Sequence, residues 1–125
     1  MPKTILVVED NDLNMKLFDD LLRGQGYEVL QTREGVQGFQ MAREKRPDLI
    51  VMDIRLPAIS GLEVTRWLKE DPDLAAIPIV AVTAYAMKGD ESRMLEGGCE
   101  AYLAKPISVS RFLKTVAQLL AETRP

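Results

Sequence analysis

The sequence predicts an α/β fold in which a five-stranded parallel sheet carries helices on both faces. Short apolar runs of strand length alternate five times with segments whose apolar residues follow the 3.6-residue period of a helix. Most of these runs are almost uniformly apolar, which is typical of parallel strands buried on both faces. The chain has 125 residues, 46% hydrophobic and 28% charged, so we expect one domain spanning residues 1–125.

The first predicted strand covers residues 3–8 and runs directly into three acids, Glu9, Asp10 and Asp12. A helix follows, capped by Asn11 or Asp12. Its apolar residues have helical spacing and are expected to face the core: Leu13, Leu17, Phe18, Leu21 and Leu22. Capping a helix needs only one or two acids, so the third indicates a further role.

The second strand, residues 28–32, is short and polar and is expected at the edge of the sheet. The next helix directs a modest apolar stripe inward, consisting of Val36, Phe39 and Ala42. The third strand has four consecutive apolar residues and ends at Asp53, with Pro57 shortly after it. It is therefore predicted to be the central strand.

Ser60 and Glu63 have the spacing of a capping box and begin a third helix, whose inward residues are Val64, Trp67 and Leu68. The fourth strand covers residues 77–83 and ends at Thr83. Residues 84–87 are expected to lead into a mostly polar fourth helix that runs through Asp90, Glu91, Arg93 and Glu96 and ends at Gly97 and Gly98. Its apolar stripe is the weakest in the chain, so it should shift more easily than its neighbours.

The fifth strand covers residues 99–104 and is followed by Lys105 and Pro106. Cys99 begins it and is expected to be a small buried residue without reactivity. Ser108 is predicted to cap the fifth helix. The apolar residues of that helix fit the helical period closely: Val109, Phe112, Leu113, Val116, Leu119 and Leu120.

Right-handed crossovers place the carboxyl ends of all five strands on one rim of the sheet. The expected strand order is the flavodoxin-like 2-1-3-4-5, in which ligands bind at the rim between strands 1 and 3. That order brings Glu9, Asp10 and Asp53 together and adds Thr83 and Lys105 from the neighbouring strand ends.

Three clustered carboxylates repel one another and therefore favour a cation or a shared proton. Carboxylate oxygens with open positions suit Mg²⁺, and Mn²⁺ can substitute for it. Lys105 could bind an anionic oxygen while Thr83 donates a hydrogen bond. This combination predicts phosphoryl transfer with Asp53 as the nucleophile. Taken singly, Asp53 could be a strand-end cap, Thr83 a strand former and Lys105 a solvated charge.

Composition excludes several other classes. The net charge of −3, spread along the chain, argues against a nucleic-acid binder or an anionic-membrane binder. The chain has no histidine and only one cysteine, which excludes a Ser/His/Asp triad, a Cys/His pair and a multi-cysteine zinc site. We recognise no signal peptide and no apolar run near the roughly 20 residues of a membrane span. A cytoplasmic location without membrane insertion is therefore expected.

The motifs together resemble a bacterial two-component response regulator receiver domain across essentially the whole chain. They are Val8-Glu9-Asp10-Asn11, Met52-Asp53-Ile54-Arg55-Leu56-Pro57, Ser60-Gly61, Val82-Thr83-Ala84 and Tyr102-Leu103-Ala104-Lys105-Pro106. Finer details at residues 11–15, 31–35, 97–102 and 105–108 are similar to the DivK group of single-domain cell-division regulators. A role in cell-cycle control, without an output domain, is the corresponding expectation.

The resemblance implies that Asp53 accepts a phosphoryl group from a phosphohistidine of a sensor histidine kinase or a histidine phosphotransfer protein. Asp10 and Asp53 would bind magnesium directly, with the backbone carbonyl of Arg55 as a third protein ligand. Glu9 would act close by, often through water. Lys105 would bind the phosphoryl group. The protein would assist only its own phosphorylation and dephosphorylation and would otherwise not be an enzyme.

The resemblance also implies a cis Lys105–Pro106 bond, which sequence physics alone expects for only about 5–6% of X–Pro bonds. Thr83 and Tyr102 would be the switch residues, moving when Asp53 is phosphorylated. The fourth helix, fifth strand and fifth helix would form the face that binds a downstream protein. Arg55 and Tyr85 occupy positions that in receivers flank the path of the hydrolytic water. Both are bulky, so we expect slow self-dephosphorylation, with turnover left to a partner phosphatase.

Three alternatives remain at this point. A magnesium-dependent phosphohydrolase of the haloacid dehalogenase type would want a second acid two residues after the nucleophile, where this chain has Arg55. A flavin protein of the same fold would want a Ser, Thr and Gly-rich loop after the first strand, and this loop is acidic. A receiver-like contact module that is never phosphorylated would usually lack one of the five rim residues, all of which are present.

Overall fold

The computed structural model describes residues 2–83, 92 and 95–122. The strands are β1 (Thr4–Val8), β2 (Glu28–Thr32), β3 (Leu49–Asp53), β4 (Ile79–Thr83) and β5 (Ala101–Ala104). The helices are α1 (Asp12–Gly24), α2 (Gly35–Lys45), α3 (Gly61–Glu70) and a last helix (Val109–Glu122). Tyr85 and most of the predicted fourth helix fall outside the described residues. None of the described helices has the length and hydrophobicity that a membrane crossing requires.

The five strands form one parallel sheet in the order β2-β1-β3-β4-β5, which confirms the predicted topology. The register aligns the strand ends. Asp53 pairs with Val82 of β4, and the next β4 residue, Thr83, pairs with Ala104 of β5. Every residue predicted to act chemically therefore lies on or next to one rim of the sheet.

The register is fixed by burial on both faces of the sheet. Val7 belongs to a cluster formed with α1 and the last helix, where the rings of Phe18 and Phe112 lie 5.1 Å apart. Its neighbour Val8 points the other way and packs in a second cluster with Val64 of α3. Each fully buried side chain of this size contributes about 1.5–3 kcal/mol. Sliding a strand by one residue would exchange these two faces, so packing holds the strand ends in place.

Polar caps begin three of the helices, as predicted. Asn11, Ser60 and Ser108 each accept a hydrogen bond from the backbone N–H three residues later, at 3.0, 3.3 and 3.4 Å. A cap of this kind contributes about 1 kcal/mol. Each cap also fixes where its helix starts relative to the preceding strand end.

The predicted inward stripe of α1 is partly wrong. Leu13 is 79% exposed and Leu17 is 36% exposed, whereas the buried residues of the helix are Met15, Phe18 and Leu22. Because successive helical residues are separated by about 100°, Met15 lies on the same face of the helix as Phe18 and Leu22. Leu13 and Leu17 lie on the adjoining face.

Helix α2 packs through glycine instead of a broad apolar stripe. Gly35 and Gly38 are buried with Ala42, and a Cβ added at Gly38 would lie 2.9 Å from Val8 Cγ2. Gly38 therefore lies against the sheet and Gly35 lies against Val64 of α3, whereas Val36 is 43% exposed. The expectation that Val36 faces the core is therefore wrong, and the expectation for Ala42 is confirmed.

Replacing Arg46 with glycine is expected to raise the free energy of unfolding by about 0.5–1 kcal/mol. Arg46 ends α2 at φ 47°, where an L-residue is strained and glycine is not. Its ion pair with Asp73 is long, at 3.9 Å, and exposed, so losing it should matter little. Urea unfolding measures the change. Lys45→Gly, one residue earlier in the helix, is the control and should lose about 1 kcal/mol. A comparable loss in Arg46→Gly would contradict the backbone explanation.

Candidate functional site

The structure brings together the three acids predicted to cluster at the rim. Glu9 follows β1 and is 0% exposed, and Asp53 ends β3 and is 3% exposed. Asp10 is exposed beside them. Carboxylate oxygens from the three residues all lie within 4.8 Å of one another. The cluster therefore has two buried members and one that faces solvent.

Lys105 supplies a positive charge inside this cluster. Its Nζ donates to Glu9 Oε1 at 2.9 Å and lies 3.5 Å from Asp53 Oδ2. The Lys105 side chain is itself only 12% exposed. Its backbone N–H donates to the Thr83 carbonyl oxygen at 2.7 Å, which ties the start of this loop to the end of β4. Buried carboxylates are costly without such a partner.

Backbone N–H groups hold the other oxygen of each buried carboxylate. Glu9 Oε2 accepts from the N–H of Asn11 at 3.1 Å, and Asp53 Oδ1 accepts from the N–H of Arg55 at 3.1 Å. In both cases the donor lies two residues beyond the acid, and for Asp53 this is the local turn that aspartate side chains favour. Each carboxylate thus has one oxygen on a backbone donor and the other directed toward Lys105.

Burial raises the pKa of Asp53 from its ordinary value of 3.8 to about 7. A hydrogen bond with Glu9 and the charge of Glu9 add to this rise, while the Lys105 charge and the Arg55 N–H oppose it. In the absence of a metal ion, Asp53 therefore keeps a proton up to near-neutral pH. This is the shared-proton state that crowded carboxylates favour.

The donor set fits a hard divalent cation. The carboxylates of Glu9, Asp10 and Asp53 would carry three negative charges when ionised, and Lys105 offsets one, so two remain. Carboxylate oxygens with a solvent-facing side suit Mg²⁺, which keeps several waters. Cys99 lies before β5, at the other end of that strand from Lys105, and cannot act as a competing soft ligand.

Cys99 is buried, as predicted. Burial, together with the nearby Glu100 charge, raises the pKa of its thiol to about 11. Since the thiolate is the reactive form, Cys99 is a poor nucleophile at neutral pH.

The structure places the remaining predicted residues on β4, on β5 and in the loops that follow β3 and β5. Thr83 is fully buried at the end of β4. Tyr102 is half-buried on β5 and packs against the hydrophobic cluster that contains Val8 and Val64, on the α2 and α3 side of the sheet. Arg55 is exposed, with its backbone N–H on Asp53. The Lys105–Pro106 peptide bond is cis, which confirms that expectation.

Sequence reasoning missed two features of the site. The sequence assigns Lys105 to a phosphoryl oxygen and does not indicate that Glu9 is its nearer partner. The unbroken apolar run up to Val8 was a usable signal, because Glu9 simply continues that buried strand. The Ser60-Gly61 motif likewise does not indicate that Gly61 lies against the backbone of Asp53.

Comparison with known proteins identifies close similarities across the chain. Residues 5–117 match the response regulator receiver domain family. The polar-differentiation response regulator DivK of Brucella anthropi is 60% identical over 122 residues, covering 98% of this chain and 99% of that protein. DivK of Brucella ovis is 58% identical over 122 residues, with the same coverage.

Solved structures show the same architecture. A response regulator from Chloroflexus aurantiacus superimposes with a TM-score of 0.93 and 30% identity, covering 97% of this chain and 99% of that one. The receiver domain of a sensor histidine kinase from Pseudomonas aeruginosa gives 0.89 and 34% identity, again covering 97% and 99%. That Pseudomonas structure holds a magnesium ion coordinated in its active-site cleft.

In EDTA, the free energy of unfolding is expected to fall as the pH rises from about 4 to about 7. The unfolded chain releases the Asp53 proton near 3.8 and the folded protein near 7, so the folded state binds more protons in between and rising pH favours unfolding. At about 1.4 kcal/mol per pKa unit, the loss amounts to a few kcal/mol. Asp53→Asn should remove this dependence and be the more stable protein above pH 7.

Chemical unfolding at a series of pH values measures this effect. Asp20→Asn, which changes an exposed acid of α1, is the control and should keep the wild-type slope. An Asp53→Asn variant with that same slope would show that Asp53 is not the titrating group.

Proposed function

The chain belongs to the response regulator receiver domain family, and on that premise we propose that it is a signalling switch that accepts a phosphoryl group on Asp53. The observation that carries this proposal is the position of Lys105 between Glu9 and Asp53, at 2.9 and 3.5 Å. It places a cation beside a buried carboxylate where phosphoryl oxygens would need charge compensation.

Asp53 is suited to act as the nucleophile. Its Oδ1 is engaged by the Arg55 N–H at 3.1 Å, which leaves Oδ2, the oxygen near Lys105, to attack the phosphorus of a phosphohistidine. The new O–P bond forms as the N–P bond to the donor imidazole breaks. Lys105 would then follow the phosphoryl oxygens, and Thr83, from the neighbouring strand end, would donate its hydroxyl to one of them.

The acid cluster would hold the metal ion. Asp10 and Asp53 would be direct ligands, with the Arg55 backbone carbonyl as a third, and Glu9 would act through water. Bound Mg²⁺, or Mn²⁺ in its place, neutralises charge on the phosphoryl oxygens. The support for this assignment is the approach of the three carboxylates to within 4.8 Å and the two negative charges that Lys105 leaves uncompensated.

The phosphorylated form would signal by protein contact. The donor would be a sensor histidine kinase or a histidine phosphotransfer protein, and the same kinase or a phosphatase would remove the group. Thr83 and Tyr102 would relay the change to the face formed by the fourth helix, β5 and the last helix. Moving a switch from mostly inactive to mostly active requires several kcal/mol. Similarity to DivK supports a role in cell-cycle or cell-division control.

Incubation with acetyl phosphate and Mg²⁺ is expected to add one phosphoryl group to the wild-type protein, as measured by intact-protein mass. Addition should require Mg²⁺ and be absent in Asp53→Asn. Asp48→Asn, at the opposite end of β3, is the matched control and should be phosphorylated normally. The proposal would be contradicted if folded wild-type protein acquired no phosphoryl group from acetyl phosphate and none from a phosphohistidine-bearing donor. Catalytic release of phosphate from small phosphomonoesters would instead favour the phosphohydrolase.

Loss of the phosphoryl group from the purified protein is expected to be slow. Arg55 is exposed next to Asp53, and Tyr85, which lies outside the described residues, is predicted to flank the same path for attacking water. Arg55→Ala or Tyr85→Ala should open that path and accelerate hydrolysis, as followed by the decay of the adduct mass. Fast decay in wild-type protein that neither substitution alters would rule this explanation out.

A further inference from the structure

Helix α3 begins directly against the backbone of Asp53. A Cβ added at Gly61 would lie 2.1 Å from the Asp53 carbonyl oxygen, 2.9 Å from its carbonyl carbon and 3.0 Å from the Cα of Ile54. All three atoms belong to the main chain, so none can rotate away as the tip of a side chain could. Any residue other than glycine at position 61 therefore requires the helix or the end of β3 to move.

Helix α3 is held in place against the end of β3. The Gly61 N–H donates to the Ile54 carbonyl oxygen at 2.8 Å, and Ser60 caps the first turn through the Glu63 N–H at 3.3 Å. Val64 and Leu68 anchor the inner face of the helix in the core, with 0% and 1% exposure. Moving a packed helix away from the sheet would open a cavity beneath it.

The end of β3 is held on its other side by β4. Asp53 pairs with Val82, and the Ile54 N–H donates to the Val82 carbonyl oxygen at 3.0 Å. The carboxylate in turn depends on the local backbone, since the Arg55 N–H holds its Oδ1 at 3.1 Å. A shift of Asp53 would therefore change this hydrogen bond and the 3.5 Å approach to Lys105.

We propose that Gly61 is a positioning residue for Asp53: its lack of a side chain lets α3 hold the strand end where the carboxylate meets Arg55 and Lys105. Gly61 touches no reacting atom and acts only through the backbone of Asp53. The inference rests on the proposed function of Asp53 as phosphoryl acceptor and adds a residue that sets its geometry.

Gly61→Ala tests the proposal, with two matched glycine substitutions as controls. A Cβ at Gly38 of α2 would lie 2.9 Å from Val8 Cγ2, a clash that falls on a side chain and does not involve α3. A Cβ at Gly24 would meet nothing within 4 Å. Gly38→Ala therefore controls for lost stability, and Gly24→Ala controls for the substitution itself.

Three quantities are measured at a temperature where circular dichroism shows every variant folded. They are the initial rate of phosphorylation by acetyl phosphate, the calorimetric Kd for Mg²⁺ alone, and the amide resonance of Arg55. In Gly61→Ala the rate should fall on the order of 100-fold, the effect of displacing a reacting group by about 1 Å. The Kd should rise roughly tenfold, and the Arg55 resonance should move. Both controls should stay within about twofold of wild type.

A folded Gly61→Ala protein with the rate, the Kd and the Arg55 resonance of its controls would overturn the proposal. If wild-type protein is neither phosphorylated nor binds Mg²⁺, the proposed function fails. The Arg55 resonance then still decides whether Gly61 positions Asp53.

If Gly61→Ala does not fold, the rate of phosphorylation is measured in Ser60→Ala instead. That substitution removes the cap of α3 and adds no atom near Asp53. Phosphorylation slower than in wild type, with the fold retained, would support the proposal, and an unchanged rate would overturn it.

Discussion

Two buried carboxylates share one ammonium group, and the rest of the site depends on that arrangement. Lys105 lies 2.9 Å from Glu9 and 3.5 Å from Asp53, and all three side chains are at most 12% exposed. Removing one partner of such a buried pair typically costs about 3–5 kcal/mol. The residues come from the ends of β1, β3 and β5, so the pairing is possible only because parallel strands end together on one rim.

The same arrangement explains how Asp53 could change between a protonated and an ionised form. Lys105 balances only part of the acidic cluster, so without a metal ion Asp53 keeps a proton to about pH 7. A divalent cation would replace that proton and leave Asp53 ionised, which is the form a nucleophile needs. The proposed phosphorylation of Asp53 would then change the charge at a buried strand end, and neighbouring residues would have to respond.

The sequence was sufficient to predict the strand order and the composition of the rim, because both follow from local patterns. Near-uniform apolar runs predicted buried parallel strands, and the crossover rule then placed Glu9, Asp53, Thr83 and Lys105 on one rim. What could not be predicted depends on packing between distant segments. The phase of α1 is set by contact with the last helix, which left Leu13 exposed. The preference of Lys105 for Glu9 and the contact of Gly61 with Asp53 require three-dimensional distances that no spacing encodes.

The most direct test of the central claim is the identity of the phosphorylated residue. Borohydride reduces an aspartyl phosphate to homoserine, and peptide mass spectrometry then locates the reduced residue. After treatment with acetyl phosphate and Mg²⁺, this account predicts that the conversion occurs at position 53 and at no other acid. Conversion at Glu9, at Asp10 or at an acid away from the rim would contradict it.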